Sequence, residues 1–125
     1  MNTGKTGIGR FFKGFVYAFE GIVSCIKTER NMRFHIGVAV LVILLMRFYG
    51  LSAAETAAVY ICIGLVISLE LVNTAVEAAV DMACKDKNPL AKKAKDCAAG
   101  AVLIAAVASV AVGIRILRSV FIQLT

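Results

Sequence analysis

The chain has 125 residues, 60% of them hydrophobic, a mean hydropathy of +0.84 and a formal net charge of +6. A soluble domain is nearer about 45–50% apolar, so the composition excludes an ordinary soluble globule and indicates one small polytopic membrane domain, residues 1–125. The positive charge lies in loops beside apolar stretches, which argues against a nucleic-acid partner and for anionic lipid headgroups and topology.

The first ten residues, MNTGKTGIGR, are polar and lack the apolar core of a signal peptide, so no cleaved leader is expected. Gly4-Lys5-Thr6 imitates the end of a P-loop but lacks its upstream glycine and strand. Gly7 and Gly9 begin a GxGxxG pattern that Phe12 interrupts. Neither carries a nucleotide-binding reading.

Residues 10–27 place apolar side chains at 11, 12, 15, 16, 19, 22, 23 and 26, a helical repeat. Lys13, Tyr17, Glu20, Ser24 and Lys27 fall off that stripe, with Glu20 read as a solvated residue. The pattern predicts an amphipathic helix lying on a membrane surface. A charge-dense hinge follows, TERNMRFH at 28–35.

The first span is expected near 34–50. Phe34–Tyr49 covers about 24 Å at about 1.5 Å per residue, short of the roughly 30 Å hydrocarbon core, so flanking residues must snorkel to complete it. His35 reads as an interfacial hydrogen-bonder. Gly50, Leu51 and Ser52 make a turn, and Glu55 is a helix-start charge. The second span is expected near 54–83. The loop CKDKNPLAKKAKD then carries five lysines, the single proline and an Asn-Pro turn signal. The third span is expected near 97–120; its eighteen residues from Cys97 to Ile114 carry no charge. Gly100 and its neighbouring alanines suit close helix packing.

Lysine and arginine counts set the orientation. Six precede Phe34 (Lys5, Arg10, Lys13, Lys27, Arg30 and Arg33) and five lie in the second loop, whereas the turn near residue 50 has only Arg47. The positive-inside rule places the N-terminus and the lysine-rich loop in the cytoplasm. Cys25, Cys62, Cys84 and Cys97 form no CxxC pair and read as reduced thiols.

One stretch stands out, ELVNTAVEAAVD at 70–81. At about 100° per residue Glu70, Asn73, Glu77 and Asp81 fall within about 80° of arc, a polar stripe about 17 Å long. A carboxylate at the bilayer centre costs about 2.5–3.5 kcal/mol even on lenient scales, and less toward the interface. Three on one face repel one another unless neutralised. A polar packing seam is one reading. A divalent cation, which suits hard oxygen ligands and also receives phosphate oxygens, resolves the repulsion. With Lys95-Asp96 and Glu29 at the same end, the constellation suggests phosphoryl chemistry at a membrane surface.

Residues 70–81 resemble the signature of the small integral-membrane diacylglycerol kinases of bacteria. KDCAAGAVL at 95–103 resembles their second signature. TERNMRFH with KDCAAGAVL is more similar to the Gram-positive branch, whose members act mainly as undecaprenol kinases. The resemblance covers nearly the whole chain. It implies an all-α homotrimer of three-span subunits with an amphipathic surface helix, using MgATP at sites shared between neighbours on the cytoplasmic face of the plasma membrane.

By that resemblance Glu70 is the general base on the lipid hydroxyl. Glu29 and Glu77 hold Mg²⁺ with the ATP phosphates. Asn73, Lys95 and Asp96 shape the nucleotide site, and Arg10 and Tyr17 match nucleotide-contacting positions. Arg10 also lies by the lipid, and Ala99 lines the lipid site. Asp86-Lys87-Asn88 occupies the place of a nucleotide-contacting loop, although the family has Glu-x-His there, and Asp81 is supporting. The expected reaction phosphorylates undecaprenol, with diacylglycerol as the alternative acceptor. The contrasting readings are a small cation transporter and a purely structural membrane subunit.

Overall fold

A computed structural model of the chain describes residues 6–125, and every element in it is a helix. The readings at Gly4 and Lys5, and over residues 1–5 in general, lie outside the described part. Helix α1 runs Gly7–Thr28, α2 Arg30–Met46, α3 Ala53–Ala83 and α4 Pro89–Leu124. The all-α class expected from the apolar periodicity is therefore the architecture observed.

Helix α1 presents its phenylalanines and valines outward and buries only Cys25. A helix with one apolar stripe and so little packing against its own chain suits a lipid interface. A single residue separates it from α2. Glu29 takes an extended backbone (φ −106°, ψ 115°), and its N–H still bonds to the Cys25 carbonyl at 2.8 Å. Arg33 braces this corner: its Nη1 donates to the Ile26 and Lys27 carbonyls, both at 3.0 Å. Those carbonyls belong to the last turn of α1, where helical partners run out and a cation is favoured.

Helix α2 has 17 residues, about 25 Å, and closes with tighter bonds from Arg47 N–H to the Leu44 carbonyl and from Phe48 N–H to the Leu45 carbonyl. The helix over the stretch expected as a span, 34–50, thus begins one turn earlier and ends before the turn. A capping box opens α3: Glu55 N–H donates to Ser52 Oγ and Ser52 N–H to Glu55 Oε1, both at 3.1 Å. Glu55 is thereby a helix-start residue in the literal sense. Asn88-Pro89, expected as a turn, also starts a helix. Asn88 Oδ1 accepts from Leu90 N–H at 2.8 Å and proline occupies the first turn, so the lysine-rich stretch before Cys97 is already helical.

Helices α3 and α4 are each long and apolar enough to cross a membrane. Their 31 and 36 residues extend about 46 and 54 Å, well past a hydrocarbon core of about 30 Å. They pack mainly on each other; α2 rests on α3, and α1 touches α2 and α3 but not α4 among the described residues. The core is correspondingly thin, consisting of Cys25, Met32, Ala39, Val59, Val66, Val102 and Ala105, with Glu70 and Asn73. The chain exposes 9630 Å², whereas a compact soluble monomer of 13.3 kDa exposes about 6,500 Å². Only 22% and 11% of the most apolar windows of α3 and α4 are buried within the chain. Such surface is stable only against lipid or other protein.

Candidate active site

The polar stripe of α3 grades from buried to exposed. Glu70 is 2% exposed and Asn73 7%, Glu77 is half-buried, and Asp81 has a side chain 65% exposed. The helix thus carries its carboxylates from the interior of the chain out to the turn before α4. Burial of Glu70 follows from its position on α3, where α2 and the end of α1 meet the helix.

Around Glu70 three elements supply polar groups. From α2, His35 Nε2 lies 4.0 Å from Glu70 Oε2. From the α1–α2 corner, Glu29 lies within electrostatic reach of Glu70, as does Glu77 along α3. Thr74 donates its one hydroxyl hydrogen to the Glu70 carbonyl at 3.0 Å, which leaves the Cys25 thiol as donor in its 3.3 Å contact with Thr74 Oγ1. This contact ties the end of α1 to the stripe. Asn73 Nδ2 donates to Glu77 Oε1 at 3.5 Å, and its buried Oδ1 has no partner. The amide is held in this sense because its carbonyl would repel the Glu77 carboxylate. An acceptor so left unpaired costs about 1–3 kcal/mol, which marks it as available to a ligand.

Toward the α3–α4 turn, a cleft of about 740 Å³ opens between the end of α3 and the start of α4. Asp81, Asp86, Asn88, Lys95 and Asp96 all line it, so five residues singled out in the sequence meet here. The charges are paired across it: Lys95 binds Asp81, and Lys92 binds Asp96 one helical turn away. Lys95 and Asp96, adjacent in sequence, therefore act in separate pairs, since neighbours on a helix point about 100° apart. Hydrogen bonding to these carboxylates raises both ammonium groups above the ordinary lysine range. Asp86 contributes its backbone, accepting from Cys84 Sγ at 3.2 Å, and Asn88 is occupied as the α4 cap.

Other sequence-predicted residues stay apart. Arg10 and Tyr17 are exposed on α1, with no side-chain hydrogen bond among the described residues, and Ala99 is exposed on α4. No group of three or more His, Cys, Asp or Glu side chains among the described residues is arranged to hold a metal ion alone. Two contacts were not anticipated, His35 to Glu70 and Cys25 to Thr74. The signal for the first was present: a titratable side chain inside an apolar segment needs a polar partner, and the stripe offered one.

The prokaryotic diacylglycerol kinase family profile matches residues 16–117. The chain is 45% identical over 112 residues to undecaprenol kinase of Bacillus subtilis, covering 90% of this chain and 91% of that protein. It is 45% identical over 100 residues to a diacylglycerol kinase of Synechocystis, covering 79% of this chain and 57% of that longer protein. Diacylglycerol kinase of Escherichia coli K12 is 31% identical over 111 residues, 88% and 90% of the two chains. With long apolar helices, a buried carboxylate stripe and these relatives, the chain is a membrane protein and a lipid kinase of the prokaryotic diacylglycerol kinase family.

Proposed function

We propose that the protein transfers the γ-phosphoryl group of ATP to undecaprenol, forming undecaprenyl phosphate at the cytoplasmic face of the plasma membrane. The observation that carries this is the burial of Glu70 at the inner end of a stripe that faces Glu29 and leads to the charged cleft. In this mechanism Glu70 takes the proton of the lipid hydroxyl as its oxygen attacks the γ-phosphorus, and the bond to the β-phosphate oxygen breaks to release ADP. A positioned base contributes about 10²–10⁴ in rate. Lys95 and Asp96 shape the nucleotide end, with Asp81 supporting Lys95.

Glu29 and Glu77 are the groups that would hold Mg²⁺. Two carboxylates without a third match an ion that arrives with phosphates instead of occupying a full protein cage, and the unpartnered Asn73 Oδ1 adds a hard oxygen beside them. When bound, the ion would neutralise phosphate oxygens during a transfer that depends mostly on positioning and charge.

Helix α2 serves in this reading as a third, short span completed by its flanking residues. Arg10, Tyr17 and Ala99 lie apart from Glu70 within one chain, which supports a homotrimer in which they serve a neighbour's nucleotide and lipid sites. Diacylglycerol is the second reading for the acceptor, favoured by the Synechocystis relative at the same identity. A competition assay decides between them: purified protein in detergent micelles receives ATP, Mg²⁺ and both lipids. A higher kcat/KM for undecaprenol supports the proposal, and a higher value for diacylglycerol replaces the acceptor. Cation flux without phosphate transfer would replace the kinase reading altogether.

A further inference from the structure

Glu70 has an unbalanced setting. It is almost fully buried, and two other carboxylates, Glu29 and Glu77, lie within electrostatic reach of it. The one group of opposite character is His35, across the α2–α3 contact at 4.0 Å. Helix α1 faces this region with the Cys25 thiol, bonded to Thr74. A base must be aimed before the lipid arrives. His35 is placed to do this. Its imidazole is 19% exposed, against 2% for Glu70.

His35 has a second neighbour. It lines an apolar cleft of about 390 Å³ between α2, α3 and α4, with Phe34, Val38, Val66 and Ser109. The imidazole thus borders both this cleft and the buried carboxylate. A contact of 4.0 Å exceeds hydrogen-bond length, but catalytic contacts of this kind commonly close only in the reacting complex.

We infer that His35 is a positioning residue for Glu70: it holds the carboxylate oriented toward the lipid hydroxyl across the α2–α3 contact. The inference rests on the reading of Glu70 as base.

His35 is the only histidine in the chain, which makes the test clean. His35→Phe and His35→Gln are compared with wild type for kcat, for KM toward ATP and lipid, and for the pH dependence of kcat. His35→Phe should lower kcat about tenfold, less than the factor of about 10²–10⁴ that the base itself supplies, with KM for ATP unchanged. His35→Gln should recover part of the loss, with an altered pH profile. Should His35→Phe not assemble, His35→Gln carries the test through that profile. Independently, the ¹⁵N resonances of the single imidazole should change in Glu70→Gln and stay unchanged in Glu55→Gln. Wild-type kcat and pH profile in the His35 variants, or imidazole resonances indifferent to Glu70→Gln, overturn the inference. Retained activity in Glu70→Gln itself would instead remove the base assignment, whatever the His35 variants do.

Discussion

The two ends of the polar stripe hold the same chemical groups under opposite conditions. At the turn, Asp81 and Asp96 are well exposed and each has a lysine. Further in, Glu70 is buried with no lysine or arginine paired to it among the described residues, and Glu77 accepts a hydrogen bond from the Asn73 amide. Exposed pairs contribute little and are screened by salt. A buried carboxylate facing other carboxylates is costly to keep. The outer pairs therefore organise the α3–α4 turn, while the inner acids are retained at a cost that phosphoryl transfer explains.

Substitutions along the stripe should reproduce that gradient. Glu70→Gln should lose about 10²–10⁴ in turnover while the protein still assembles, measured as phosphate transfer to lipid beside size-exclusion behaviour in detergent. Glu77→Gln should lose at least about tenfold and require more Mg²⁺ for half-maximal rate, read from a metal titration. Asp81→Asn should change activity by no more than about threefold, visible as a rise in KM for ATP that high salt makes less distinct from wild type. Ser52→Ala, on the opposite end of α3, should leave kinetics unchanged and cost about 1 kcal/mol of stability through the lost cap, measured by thermal unfolding in detergent. If Asp81→Asn were as damaging as Glu70→Gln, the contrast between the two ends would collapse.

Periodicity alone gave the stripe, because four polar residues at helical spacing need no knowledge of neighbours. It also gave the surface helix, whose observed range Gly7–Thr28 extends the expected 10–27 by a few residues. It misjudged the start of α4. The lysines before Cys97 looked like loop, yet Asn88 and Pro89 supply a cap and a preset first turn, and lysine is a good helix former. What periodicity could not give is partnership between elements. Cys25 and Thr74 are 49 residues apart, and His35 meets Glu70 only because α2 folds back on α3. The resemblance implied a joint role for Glu29 and Glu77, and both lie within electrostatic reach of Glu70: family resemblance stores long-range relations that a single sequence does not display.

The corner at Glu29 has a mechanical consequence. One extended residue joins α1 to α2, and Arg33 clamps the last carbonyls of α1 from the other side. There is no slack between the two helices. If α1 rests on the lipid surface, its tilt is transmitted directly to the backbone that carries the Glu29 carboxylate. Bilayer thickness and headgroup packing then become settings of the catalytic geometry, and the enzyme's rate should report the state of the membrane that holds it.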